Sequence, residues 1–212
     1  KELCKISGIR WIRLLYCYPE EMDDRLIQVI KEEKKICHYL DLPIQHSEDE
    51  ILKRMGRRTT KEQLISLIRK LREEIPDIVL RTTLITGFPG ETTEQHEKLL
   101  AFVDEMEFER LGVFTYSPEE DTPAADFPGQ VPEEEKEERR AQVMELQQEI
   151  VFEQAEEMTG KEVLVMIEGK VADENAYVGR TYMDAPGVDG LIFINTDREL
   201  MSGDFAKVTV TG

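Results

Sequence analysis

Four short apolar segments alternate with segments of helical periodicity over the first 116 residues. The strand-like segments span residues 9–16, 38–44, 78–86 and 111–116, and the third is apolar apart from Arg81 and its threonines. Such a run is typical of a strand buried on both faces. Repeated alternation of this kind predicts parallel βαβ units. Because four units do not close a barrel, we expect a partial (β/α) TIM-like barrel, cut from a longer protein.

A different pattern follows the last of these units. Residues 132–159 predict one long connecting helix, with Pro132 and three glutamates in its first turn. Four short strand-like segments then lie within residues 160–212, separated by Gly and Asp turns, which is typical of a small all-β barrel. The sequence therefore predicts a partial barrel at 1–131, a connecting helix at 132–159 and a β-barrel at 160–212.

The charge of the chain restricts its partners. The formal net charge is −18. Such a surface repels phosphate backbones, so a nucleic-acid partner is disfavoured unless a local basic patch exists, and a basic protein partner is favoured. An equal alternative is that the charge only keeps a cytosolic protein in solution. No run of eighteen apolar residues occurs, so we expect no membrane span.

The three cysteines, Cys4, Cys17 and Cys37, are widely spaced and odd in number. This usage indicates a reducing compartment, and we predict a cytoplasmic protein. Their spacing matches no local metal motif, so no metal ligand is assigned. Cys17 and Cys37 adjoin apolar strands, where a cysteine is expected to act as a small buried hydrophobe.

Polar and glycine-rich motifs follow three successive strands of the predicted barrel. Gln45 and His46 follow the second strand, residues 87–91 (Gly-Phe-Pro-Gly-Glu) the third, and residues 116–118 (Tyr-Ser-Pro) the fourth. Barrel-type α/β folds place their sites at these carboxyl ends. Gly-Phe-Pro-Gly alone is more often only a turn, and Glu91 is an equal candidate for capping the next helix. The coincidence at three strand ends favours a site.

Three stretches resemble motifs of the methylthiotransferases within the radical S-adenosylmethionine superfamily. Residues 39–47 with 51–57 are similar to that family's fourth-strand motif, residues 81–92 to its fifth-strand motif, and residues 116–124 to the loop after its sixth strand. Residues 160–212 resemble its C-terminal TRAM β-barrel. The resemblance implies a partial radical-SAM barrel followed by a small all-β TRAM barrel.

The family resemblance also implies cofactors and a reaction. S-adenosylmethionine is cleaved reductively, hydrogen is abstracted from an unactivated C–H bond, and a methylthio group is installed. The intact enzyme carries two 4Fe-4S clusters, one held by a CxxxCxxC motif and the other by three cysteines of an N-terminal domain. The cysteines of this chain match neither pattern. No catalytic residue is therefore assigned, and the chain alone is expected to be inactive.

Five cofactor-binding residues carry over from the resemblance. Gln45 is expected near the ribose or methionine end of S-adenosylmethionine, since its amide both donates and accepts. Ile85 is expected to pack on the adenine plane. Gly87 would let the backbone approach the adenine closely, because glycine has no Cβ. Tyr116 and Ser117 are expected to border the same pocket.

Details of the motifs favour one branch of the family. Asp41, the Gln45-His46 pair and residues 179–190 resemble the branch that modifies an aspartate of small-subunit ribosomal protein S12 at its β-carbon. In the branch that modifies transfer RNA adenosine, a Ser-Gly pair usually follows the glutamine. Two alternatives remain open: a transfer RNA enzyme with the same chemistry, and a non-catalytic binding protein that kept the scaffold.

The charge of the TRAM region supports a protein substrate independently. Residues 159–212 contain five basic and nine acidic side chains, a balance of −4. An RNA-binding barrel would be expected to carry the opposite sign, whereas an acidic barrel suits a basic ribosomal protein. We expect Asp184 and Asp189 to contribute to this binding surface. Arg180 is expected either to reach the surface or to pair with an acid such as Asp184.

Overall fold

A computed structural model of the chain describes residues 1–172 and 174–212 and contains two four-stranded sheets. The first sheet is parallel, and its strands lie in chain order: β1 (Ile12–Leu14), β2 (Ile36–Asp41), β3 (Val79–Thr86) and β4 (Arg110–Thr115). The β3–β4 pairing is the longest, with six residue pairs in continuous register from Arg81–Arg110 to Thr86–Thr115. This arrangement confirms the predicted partial parallel barrel.

Four helices cover one face of the parallel sheet: α1 (Asp24–Glu32), α2 (Asp49–Arg54), α3 (Lys61–Glu74) and α4 (Thr93–Met106). Their apolar faces and the outward side chains of the strands form the main core, in which Leu40, Leu80 and Leu84 are fully buried. Thr60 and Thr92 begin α3 and α4 with complete capping boxes, in which side chain and backbone satisfy each other's hydrogen bonds. We call the opposite face of the sheet, which these helices do not cover, the inner face.

The first strand is much shorter than the sequence predicts. Only Ile12–Leu14 pairs with β2, although the apolar segment runs over residues 9–16. Tyr16 has a positive φ of 56°, which ends the extended conformation. Directly before the strand, Trp11 packs edge-on against Phe205 of the second sheet, with ring centroids 4.8 Å apart. A tertiary contact therefore limits a segment whose local preference is for a strand.

A long helix, α5 (Glu133–Met158), joins the two sheets and begins directly after Pro132. The second sheet is antiparallel and has the strand order β7-β6-β5-β8, with β5 (Glu162–Lys170), β6 (Ala176–Arg180), β7 (Ile192–Asn195) and β8 (Phe205–Thr209). It curves over a small core of Val165, Ile167, Tyr177 and Ile194. Within the described residues, β7 and β8 do not pair with each other, so this sheet is an open half-barrel. Over the same residues, no helix is long and apolar enough to span a membrane.

The loop between β6 and β7 docks on the inner face of the parallel sheet. This docking loop, residues 181–189, places Asp184 Oδ1 2.6 Å from Arg110 Nη2, and Asp189 Oδ2 accepts a 2.9 Å bond from the Tyr39 hydroxyl. Arg13 Nη1 donates to the Tyr182 carbonyl at 2.6 Å. The two sheets therefore share a polar interface.

The docking loop overturns one expectation from the sequence. Asp184 is 4% exposed, and the Asp189 side chain is 5% exposed, so neither can contribute to a binding surface as predicted. Their charges are satisfied inside the molecule, because Arg110 and Tyr39 lie opposite them. Arg180 forms an ion pair, which was one of the two expectations. Its partner is Glu168, whose Oε1 lies 2.7 Å from Arg180 Nε, and not Asp184.

Candidate functional site

A cavity of about 670 Å³ opens at the carboxyl ends of β2, β3 and β4. Gln45, Ile85, Tyr116 and Ser117 line this cavity, so the structure brings four of the five predicted residues together. Gly87 is not among the lining residues. The position agrees with the general placement of sites in parallel α/β folds. Contact of these residues with a cofactor stays a prediction.

Gln45 reaches the cavity through an unusual backbone conformation. Its φ is 72°, in the left-handed region that few non-glycine residues adopt. Two backbone hydrogen bonds to β3 fix it there: Gln45 N donates to Thr83 O at 2.9 Å, and Ile85 N donates to Gln45 O at 2.8 Å. A strained residue that is held this firmly by its surroundings is typical of a ligand site.

Aromatic rings form the apolar side of the cavity. Phe88 packs edge-on against Tyr116, with centroids 5.1 Å apart, and against Phe127 at 6.3 Å. The Arg54 guanidinium lies 5.4 Å above the Phe127 ring. The Tyr116 hydroxyl is buried and has no hydrogen-bond partner among the described residues, so it is available to a ligand. Apolar rings with few free polar groups fit a heteroaromatic base such as adenine.

The aromatic residues were incompletely anticipated from the sequence. Phe88 lies inside a motif that was singled out, but the motif drew attention to its glycines. Phe127 comes from a loop that carries no pattern of its own, and Arg54 lies within the stretch 51–57, which resembles a family motif but gives no sign of a contact with Phe127. Only the folded chain shows that they meet at the cavity.

Glu91 supports the turn that carries Phe88. One carboxylate oxygen, Oε2, accepts the backbone N–H of Gly87 in a short bond and that of Phe88 at 3.1 Å. The side chain is fully buried and does not cap α4, since Thr92 does. Glu91 therefore fixes the backbone on one side of the cavity.

Positive and polar groups surround the other Glu91 oxygen. Oε1 lies 3.3 Å from Arg139 Nη1, 3.6 Å from His96 Nδ1 and 3.8 Å from His46 Nε2. His46 Nδ1 accepts the Glu48 N–H at 3.0 Å, which directs the proton of a neutral imidazole to Nε2, facing Glu91. Burial by itself raises the pKa of Glu91, but the two imidazoles and the Arg139 guanidinium outweigh it and bring the pKa to about 2.

The first turns of α5 hold two walls of the cavity. Lys136 Nζ donates to the Tyr116 carbonyl at 2.8 Å, and Arg139 Nη1 donates to the Glu91 carbonyl at 3.0 Å. Gly87 has a φ of +70°, and a Cβ there would lie 2.2 Å from Lys136 Cγ. The packing of α5 thus requires glycine at position 87. This requirement is independent of the predicted close approach of the Gly87 backbone to adenine.

The cysteines do not gather into a cluster site. Cys37 is buried under the docking loop, while Cys4 and Cys17 are half-buried beside the main core. In the described part of the chain, no three His, Cys, Asp or Glu side chains converge as metal ligands would. The donor set of these residues does not fit an iron–sulfur cluster.

Comparisons with known proteins give the same class as the fold and the cavity. Residues 1–103 match the radical SAM superfamily, and residues 159–212 match the TRAM domain. The fold is similar to that of coproporphyrinogen III oxidase (HemN) from Escherichia coli, a radical SAM enzyme, with a TM-score of 0.51 and 23% identity. That match covers 67% of this chain and 31% of the other. The chain is a partial radical SAM barrel with a TRAM domain.

More similar sequences define the family within this class. The ribosomal protein uS12 methylthiotransferase RimO of Lachnoclostridium phytofermentans is 63% identical over 211 residues, which is 100% of this chain and 48% of the relative. The RimO of Desulfitobacterium hafniense is 51% identical, over 100% of this chain and 47% of the relative. The chain is similar to these methylthiotransferases over its whole length and spans about half the length of the curated relatives it matches.

Proposed function

We propose that the chain is part of an enzyme that adds a methylthio group to the β-carbon of an aspartate in ribosomal protein uS12. The observation that carries the proposal is the 63% identity, over the whole chain, to a relative named for this reaction. The cavity at the strand ends supports it, because (β/α) barrels place their active sites at the carboxyl ends of their strands.

The cavity residues fit the adenosyl portion of S-adenosylmethionine. The radical SAM superfamily implies this cofactor together with a 4Fe-4S cluster. When bound, the cofactor supplies the chemistry that removes hydrogen from an unactivated C–H bond. Ile85 and Phe88 would pack on the base, the Gln45 amide would bind the ribose or methionine end, and the Tyr116 hydroxyl would gain a partner. Ser117 would border the pocket from its exposed side.

Iron–sulfur chemistry needs ligands that these residues do not supply. We infer that the intact enzyme holds two 4Fe-4S clusters through cysteines outside the region described. The chain alone should then bind no iron and cleave no S-adenosylmethionine. Iron quantitation after anaerobic reconstitution measures this, and stoichiometric binding of four irons per chain would contradict it.

The TRAM half-barrel is proposed to meet the basic uS12 surface. With Asp184 and Asp189 buried, the described acids that remain exposed near β6 and β7 are Glu174, Asp197 and Glu199. They would attract a basic protein and repel RNA, which favours uS12 over transfer RNA. A ribosomal substrate would also place the enzyme in the cytoplasm.

Parallel titrations test the choice of substrate. Purified chain is titrated with uS12 and with transfer RNA at several salt concentrations. We expect uS12 to bind, more weakly as salt rises, and transfer RNA to bind poorly. Tight, salt-sensitive binding of transfer RNA would favour the adenosine enzyme instead. Failure of S-adenosylhomocysteine to bind the cavity, measured by calorimetry, would favour a non-catalytic binding protein.

A further inference from the structure

Arg81 occupies the inner face of β3, between the cavity and the docking loop. Its side chain is 17% exposed. Among the described residues its guanidinium donates no hydrogen bond, and the one carboxylate within 4 Å is Asp189, whose Oδ1 lies 3.8 Å from Nε. A guanidinium carries five N–H donors, and none of the Arg81 nitrogens is among the fully enclosed polar atoms that lack a partner. These donors are therefore unpaired within the described residues and open to a ligand.

The other charged groups near Arg81 already have partners. Arg110, its register neighbour on β4, donates to Asp184 and to the Glu109 carbonyl, both at 2.6 Å. Asp41, its register neighbour on β2, accepts the Tyr16 N–H at 3.0 Å and forms no ion pair with Arg81 in the described structure. Asp189 Oδ2 is taken by the Tyr39 hydroxyl and the Ala185 N–H. None of these groups accepts a hydrogen bond from the Arg81 guanidinium.

The guanidinium also leans toward the cavity. In the β3–β4 pairing, Arg81 lies opposite Arg110, but its Nη2 reaches toward Gly112, two residues closer to the carboxyl end of β4. A Cβ placed on Gly112 would lie 3.6 Å from this Nη2 atom. Glycine at this position leaves space over the inner face. Ile85, at the cavity, is four residues further along β3, or about 13 Å at the usual strand rise. With its guanidinium beside Gly112, the Arg81 side chain extends about half of the way toward Ile85.

We infer that Arg81 binds the carboxylate of the acidic substrate side chain. The inference rests on the proposed function and adds a specificity residue to it. A planar guanidinium binds a carboxylate through two parallel hydrogen bonds, which fix its orientation as well as its position. The carbon next to that carboxylate would then point toward the cavity. An adenosine substrate has no carboxylate for Arg81, so this residue favours an aspartyl substrate.

A double-mutant cycle tests the inference. Chain with and without Arg81→Gln is titrated with uS12 and with uS12 whose acceptor aspartate is changed to asparagine. We expect each single change to weaken binding about tenfold and the two together to weaken it little further, since both remove the same contact. Arg110→Gln is the matched control, because it neutralises the register neighbour and should show no coupling to the acceptor aspartate.

The outcomes separate the inference from the proposed function. If uS12 does not bind wild-type chain, the proposed function fails. If uS12 binds but Arg81→Gln leaves affinity unchanged, or its effect simply adds to that of the asparagine, Arg81 does not bind the substrate carboxylate. Circular dichroism checks folding. If Arg81→Gln does not fold, Arg81→Lys is used instead, because it keeps the positive charge beside Asp189. Lysine cannot form the two parallel hydrogen bonds of a guanidinium, so this variant should still weaken uS12 binding severalfold.

Discussion

Glu91 is a buried residue whose charge the surrounding structure favours, and this makes stability depend on pH. An unfolded glutamate titrates near 4.5, whereas folded Glu91 has a pKa of about 2. The ionised carboxylate therefore stabilises the fold in full above about pH 4.5, and the contribution is lost as pH falls toward 2. The pKa difference corresponds to about 3 kcal/mol.

Urea unfolding of wild type and Glu91→Gln measures that contribution. We expect Glu91→Gln to lower the free energy of unfolding by about 3 kcal/mol at pH 6, because it leaves the buried Arg139 charge without this partner. The difference between the two proteins should shrink by about 2 kcal/mol on going to pH 3. A difference that is the same at both pH values would show that the Glu91 charge is not what stabilises the turn.

Alanine substitutions at Gly87 and Gly56 distinguish the cost of backbone strain from the cost of a steric collision. Both have positive φ, +70° and +76°, but only at Gly87 would a Cβ meet another group. We expect Gly56→Ala to cost about 1 kcal/mol, the strain of a left-handed alanine. Gly87→Ala should cost about 3 kcal/mol, because the Lys136 side chain must also move. Thermal unfolding of the two variants compares them, and equal losses would contradict the role given to Lys136.

Single residues show where sequence reasoning reached its limit. The strand-end motifs placed Gln45, Tyr116 and Ser117 at one edge of the sheet, because parallel strands bring their carboxyl ends together. The structure brings them to one cavity with Ile85, which came from the family resemblance, and their contact with a cofactor stays a prediction. Asp184 and Asp189 were misplaced on the surface. An acidic loop predicts exposure unless the cations that bury it are known, and here Arg110 lies 74 residues from its acid.

At the scale of elements, α5 connects the two sheets and also holds the cavity. Lys136→Met removes the hydrogen bond to the Tyr116 carbonyl while keeping most of the side-chain volume. We expect about a fivefold loss of affinity for S-adenosylhomocysteine, in line with about 1 kcal/mol for one hydrogen bond. Calorimetric titration measures it. Arg140→Met changes an arginine on the same helix that pairs with Glu137, away from the cavity, and should bind like wild type. Equal loss in both variants would point to a general effect on the helix.

The elements were predictable to different degrees. The helix α4 and the strand β3 follow from their patterns, since an apolar strand, a glycine turn and a Thr-x-x-Gln capping box set their ends locally. The strand β1 and the openness of the TRAM sheet did not follow. Each depends on which partner strand or ring is within reach, and local propensity carries no information on that.

Across the whole molecule, the docking loop should make the two sheets unfold together. Asp184 accepts bonds from Arg110 and from the Thr181 hydroxyl, at 2.6 and 2.7 Å. We expect Asp184→Asn to cost about 2 kcal/mol and to split one calorimetric transition into two. Glu168→Gln breaks the more exposed pair with Arg180 and should cost under about 1 kcal/mol, with one transition retained. Two transitions in the wild type would show that the loop does not couple the sheets.

The edge-on contact between Trp11 and Phe205 has an optical consequence. Trp11 is the one tryptophan of the chain, and it lies at the junction of the two sheets. We expect the Trp11 fluorescence maximum to shift to longer wavelength when the sheets separate, because water then replaces the Phe205 ring. The emission wavelength therefore distinguishes joined sheets from separated ones. Trp11 therefore serves as an intrinsic fluorescent probe of whether the two sheets are joined or separated.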